Sequence, residues 1–104
     1  MSFGLSRGRP LITEGFGLDA ADLPPADAGR VDPRRWFEHP DRPFELEIGS
    51  GKGTFLLQQS ELQPETNFLG IEWAAEFYRY AADRMRRHDR RNVRLLRHDA
   101  TEFI

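Results

Sequence analysis

Five residues of mixed apolar and acidic character, Phe44-Glu45-Leu46-Glu47-Ile48, run straight into Gly49-Ser50-Gly51-Lys52-Gly53, and a helix-forming stretch from Thr54 to Leu62 comes next, closed off by Pro64. A strand that meets a glycine-rich turn and then a helix is the opening of a β-α-β unit, and it commits a chain to a parallel sheet. The rest of the sequence keeps the same rhythm. Asn67-Phe68-Leu69-Gly70-Ile71-Glu72 reads as a second strand, and a helix from about Ala74 to Arg87 places Ala74, Phe77, Tyr78, Ala81 and Met85 on one face. His88 to Asn92 makes a turn, and Val93 to Arg97 is a third strand leading into His98-Asp99-Ala100. The expected fold class is therefore α/β, with right-handed crossovers and a ligand site beyond the carboxyl ends of the strands.

The residues just past each strand narrow the choice of ligand. A phosphate-cradling loop of the GxxxxGK[ST] type would need glycine at position 46 and a hydroxyl residue after Lys52; the chain has Leu46 and Gly53. A nicotinamide fingerprint wants its third glycine where Thr54 stands, which weakens that reading and leaves it open. Glu47, at the foot of the loop, disfavours a pyrophosphate and suits a cation, while the amides around Gly49, Gly51 and Gly53 suit a carboxylate. S-adenosylmethionine carries both charges. Glu72 ends the second strand, where an acid can accept both hydroxyls of an adenosine ribose, and Trp73 beside it suits either the adenine face or a helix-start core position. Asp99 ends the third strand, where its carboxylate could take the adenine amino group while the Ala100 backbone meets the ring edge; an N-cap for the residues from Thr101 onward is the simpler alternative.

Residues 1–42 hold Pro10, Pro24, Pro25, Pro33 and Pro40 without any sustained period, and are read as an irregular or partly disordered leader in front of a unit spanning 43–104. Within it, Trp36-Phe37 is expected to pack on something, and Ser6-Arg7-Gly8-Arg9 reads first as a floppy basic end and second as a phosphate contact. The net charge is −2, yet nine of the fifteen basic residues lie between Lys52 and Arg97, eight of them arginines from Arg79 on. Only Asp83 and Asp89 oppose them there, so the charge pattern leaves two readings open despite the acidic total, a local basic surface or an ordinary solvated helix face. The chain has no cysteine, and its three histidines lack ligand spacing, so no metal is expected. No run of about 18 apolar residues exists, so no membrane span is expected and a cytoplasmic protein is the natural reading.

At this point the sequence resembles the bacterial tRNA (guanine-N7)-methyltransferases, a branch of the class I S-adenosylmethionine-dependent methyltransferases with a Rossmann-like fold. The resemblance lies in Leu46 to Gly53, in Asn67-Phe68-Leu69-Gly70-Ile71-Glu72, and in Asn92-Val93 with His98-Asp99-Ala100, and covers roughly Phe44 to Ile104. It implies S-adenosylmethionine as cofactor, with Glu47, Gly49, Gly51, Gly53, Glu72, Asp99 and Ala100 contacting it, and tRNA as partner, methylated at N7 of a variable-loop guanine. It also implies that the residues addressing the guanine lie beyond Ile104, so that this chain is the cofactor-binding N-terminal half of the domain, without catalytic residues of its own and with the Phe44–Ile48 strand left as an unprotected edge. Other readings stay open: another class I methyltransferase, a nicotinamide-binding fragment, or a non-catalytic RNA-binding module. Oligomeric state is left undetermined by the sequence.

Overall fold

The computed structural model describes residues 10–23 and 32–103. Its centre is a four-stranded parallel sheet in the order β1-β4-β3-β2, formed by β1 (Gly17–Leu18), β2 (Phe44–Ile48), β3 (Asn67–Ile71) and β4 (Val93–Leu96). Three helices follow the strands: α1 (Thr54–Leu62) after β2, α2 (Ala75–Arg87) after β3 and the short α3 (Ala100–Phe103) after β4. The α/β architecture expected from the strand and helix rhythm is thus present. β3 sits between two partners and is buried at all five positions, which is why its sequence is a near-continuous apolar run. β2 lies at one end of the sheet, where Leu46 and Ile48 are 41% and 55% exposed.

The register sorts side chains onto two faces, because in-register neighbours point the same way. Leu46, Leu69 and Arg94 share one face, and Glu47, Gly70, Leu95 and Gly17 share the other. The second face is covered by α1 and α2, whose Leu56, Tyr78, Ala81, Ala82 and Met85 pack on Phe68, Val93 and Leu95. On α2 the buried set differs from the expected stripe. Ala82 and Asp83 go inside, whereas Phe77 remains 39% exposed and Ala74 precedes the helix as its cap.

The opposite face is covered by the leader. Phe37 is 5% exposed and packs with Leu69, Ile71 and Leu96, flanked by Leu18, Leu23, Trp36, Phe44 and Ala100. The Pro33–Trp36 turn that delivers Phe37 is set by Asp32, whose side chain accepts from the Arg34 amide, with proline at the first position of the turn. The aromatic pair thus packs as its composition suggests. What the sequence does not suggest is β1: Leu95 donates to Phe16 O at 2.8 Å and Arg97 to Leu18 O at 2.8 Å, so part of the leader is a strand of the sheet. Two residues are too few to carry a period.

The leader is also tied to α2. Asp83 is fully buried and accepts from the Ile12 amide at 3.1 Å, from Arg86 at 2.8 Å and from Arg87 at 2.8 Å. Burial by itself would raise the Asp83 pKa, but the hydrogen bonds from the two arginines and the amide hold it down to about 2. Ser6 to Arg9 lie outside the described residues.

Candidate functional site

The carboxyl ends of β2, β3 and β4 meet in an open cavity of 260 Å³ lined by Ile48, Gly49, Ile71, Glu72, Trp73, His98, Asp99 and Ala100. Four residues singled out from the sequence, Gly49, Glu72, Asp99 and Ala100, therefore come together, as the position beyond the strand ends requires. Glu47, Gly51 and Gly53 are not in its lining; Glu47 sits near the end of β2, and the two glycines belong to the loop that follows. His98, Ile48 and Ile71 are additions, each adjacent in sequence to a residue already noted. Among the described residues no group of His, Cys, Asp or Glu is arranged to hold a metal ion, and no helix is long and apolar enough to cross a membrane.

The loop has a defined shape. Gly49, Gly51 and Gly53 adopt φ of 74°, 56° and 81°, the left-handed region that disfavours residues with a side chain. At Gly53 there is a second reason, since an added Cβ would stand 3.1 Å from Ala81 Cβ and 3.0 Å from Met85 Cε. The bare backbone lets α1 start against α2. Arg84 of α2 then holds the loop from outside, donating to Thr54 Oγ1 at 3.1 Å and to Lys52 O at 3.5 Å.

Glu72 is the pivot of the site. One carboxylate oxygen accepts from the Gly51 amide at 2.6 Å and the other from the Ala74 amide at 3.0 Å. The same side chain thus pins the glycine loop and holds Ala74, the residue that leads into α2. An ionised carboxylate offers about four lone-pair sites, so two remain for further donors.

Glu47 is in a different state. Its Oε1 is buried without a partner, and burial pushes its pKa up from the ordinary glutamate value. Ser50 Oγ is likewise buried without a partner, and it lies against Gly70, where any side chain would strike it. Two unsatisfied polar atoms therefore flank the loop on the helix side of the sheet. Buried polar atoms of this kind call for a ligand or a water.

Asp99 caps α3, accepting from the Thr101 amide at 3.0 Å and from Thr101 Oγ1 at 2.7 Å. Both bonds lower its pKa, and both fall on the same oxygen. The capping alternative is thus realised without consuming the second oxygen. Trp73, 63% exposed, carries the Arg97 guanidinium 5.0 Å from its ring centre.

Most arginines of the run have acidic or backbone partners within the chain, some of them at the surface. Arg86 and Arg87 serve Asp83, Arg91 serves Glu38 and Asp89, and Arg90 lies 3.6 Å from Glu61. Arg94 is half-buried, stacked 5.6 Å from the centre of the Phe16 ring and 5.3 Å from that of Phe37, and it donates to Trp36 O. A run of arginines in sequence has become mostly mortar between the leader, the sheet and the helices.

Comparison with known proteins agrees with this geometry. The chain is 44% identical over 64 residues to a tRNA (guanine-N(7)-)-methyltransferase of Rhodopirellula baltica, covering 62% of this chain and 24% of that protein. Proteins of the same name match from Geobacillus thermodenitrificans, at 40% identity over 66% of this chain and 33% of the relative, and from Thermosynechococcus vestitus, at 39% over 72% and 33%. The chain thus spans about a quarter to a third of the length of these relatives. A family model described as "Putative methyltransferase" matches residues 41–104, which is well over half of the chain and includes every element around the cavity. The chain belongs to that methyltransferase family.

Proposed function

We propose that this chain forms the S-adenosylmethionine-binding part of a tRNA (guanine-N7)-methyltransferase acting in the cytoplasm, where its tRNA substrate is found. The observation that carries the choice of cofactor is the buried, unpartnered Glu47 oxygen at the foot of the glycine loop. A pyrophosphate-bearing dinucleotide offers that atom nothing but repulsion, whereas the methionyl ammonium satisfies it. The donor set fits the rest: Glu72 retains acceptor capacity for ribose hydroxyls and Asp99 keeps one free oxygen at the cavity, while the amides of Gly49, Ser50, Gly51 and Gly53 donate within the chain and hold the loop in shape. In the order Glu47, Glu72, Asp99, the acids of the site match the ligand's ammonium, ribose hydroxyls and amino group. The relatives' names supply the substrate.

When bound, S-adenosylmethionine supplies a methyl group already activated on a sulfonium. Guanine N7 has an outward lone pair and no proton, so the chain needs no general base. Its residues contribute by fixing the cofactor in place, and the binding energy goes into alignment. Calorimetric titration tests the reading: S-adenosylhomocysteine should bind saturably, and NAD should not. Equal or stronger binding of NAD would overturn it.

A further inference from the structure

We propose that Arg97 is a positioning residue for the cofactor's purine, bracing Trp73 so that an exposed indole becomes a fixed wall of the strand-end cavity. The proposal rests on the S-adenosylmethionine reading above. Trp73 follows Glu72 directly, lines the same cavity as Ile48, Ile71 and Asp99, and is left 63% exposed, a large apolar ring in water. A ring in that condition would ordinarily be free to turn between rotamers. Here two contacts from a single side chain restrain it: the Arg97 guanidinium lies 5.0 Å from the ring centre, and Arg97 Nε donates to the Trp73 carbonyl at 3.3 Å. The first contact fixes the ring and the second its backbone.

Arg97 can act as a brace because its own root is fixed. Its amide donates to Leu18 O at 2.8 Å, so the residue that holds Trp73 is itself held by the leader strand at the sheet edge. The chemistry beside the wall matches a purine nucleoside. Ile48 and Ile71 offer apolar surface, Glu72 and Asp99 offer acceptors for hydroxyl and amino groups, and an indole offers a flat π-surface of the kind on which bases stack. A planar guanidinium suits an indole face better than an ammonium does, and only the guanidinium carries the Nε donor used here.

The test uses the chain labelled with 5-fluorotryptophan, which gives two resonances because the sequence holds two tryptophans, Trp36 and Trp73. Trp73→Phe assigns them. On titration with S-adenosylhomocysteine the Trp73 resonance should shift saturably while that of Trp36 stays in place, and adenosine alone should move it in the same direction. Arg97→Gln should weaken binding about three- to tenfold and alter the Trp73 resonance before ligand is added. Arg97→Lys should recover part of the affinity, and Arg79→Gln should change nothing. A Trp73 resonance that stays fixed while calorimetry shows saturable binding would overturn the purine wall and leave the cofactor reading standing. An Arg97→Gln chain that titrates like the parent would overturn the brace in the same way. Absence of any binding would sink both. Where Arg97→Gln fails to fold, the parent chain's own Trp73 shift still decides the purine wall, and Arg97→Lys decides the brace: an Arg97→Lys chain with the parent's affinity and the parent's Trp73 resonance would overturn it.

Discussion

Replacing Glu72 by glutamine should damage the chain twice, once before the cofactor arrives and once when it binds. In the empty protein the carboxylate takes the Gly51 amide at 2.6 Å and the Ala74 amide at 3.0 Å. Glutamine keeps one oxygen and turns an NH₂ group toward the other amide, so one charge-assisted bond is lost and a donor faces a donor. Hydrogen bonds to charged groups contribute about 1.5 to 3 kcal/mol, and partial exposure of Glu72 brings the expected loss to about 1 to 2 kcal/mol. In a domain of this size that lowers the melting temperature by roughly 4 to 16 °C. Ribose hydroxyls must then share the remaining oxygen, which costs a further ~1 to 2 kcal/mol, or about five- to thirtyfold in affinity. Thermal melts followed by circular dichroism read the first effect, and calorimetry with S-adenosylhomocysteine below the lower melting temperature reads the second. Glu45→Gln is the control, since Glu45 shares the Glu47 face of β2, is exposed, and stands one repeat further from the loop. A Glu72→Gln chain that melts with the parent would show the two amide bonds to be idle. One that binds with the parent's affinity, or a Glu45→Gln chain that binds as weakly, would refute the ribose assignment.

Three other outcomes are expected from the same structure. Glu47 has its pKa raised by burial, so its charged form opposes folding: the empty chain should lose stability as pH rises from about 4 through the raised value, and Glu47→Gln should remove that slope, melting higher than the parent at pH 7 while binding S-adenosylhomocysteine about tenfold more weakly or worse. Asp83 works in the opposite sense, its pKa held near 2, so its contribution is complete above about pH 4 and disappears as pH falls toward 2; Asp83→Ala should cost about 3 kcal/mol at pH 7 in urea melts and flatten that acid limb. Phe37→Ala should cost about 3 kcal/mol and speed amide exchange across Leu69, Ile71 and Leu96, because it removes the leader's buried ring from that face; unchanged exchange would show the leader to be a passenger.

The parts legible in the sequence are those with a period or a forced spacing. β2, β3 and β4 appear where apolar runs and turns place them, and Glu72, Asp99 and Ala100 come together because strand ends in a parallel sheet share one edge. The parts that were not legible depend on contacts between distant segments. Nothing in Gly17-Leu18 announces a strand; Leu95 and Leu96 across the sheet make it one. Asp83 looks like one acid among arginines on a solvated helix, until burial and three donors turn it into an anchor for residue 12. The arginine run left its role open for the same reason, since charge in sequence says nothing of the partners that fold back onto it. Glu72 reads as an acceptor from its place at a strand end, but its grip on the loop depends on Gly51, 21 positions away.

The pairing of β1 with β4 also sets an order of events during synthesis. Gly17 finds its partner only at Leu95, and the Ile12 amide meets Asp83 across 71 positions of sequence. A ribosome adding about 5 to 20 residues per second needs roughly 4 to 16 seconds to get from one end of the β1–β4 pair to the other. Through that interval β1 lacks its only sheet partner among the described residues, whereas the β2 and β3 pair has a far shorter loop to close. The first part of the chain to be made is thus among the last to be locked, and it closes the edge of the sheet only after everything between has been laid down.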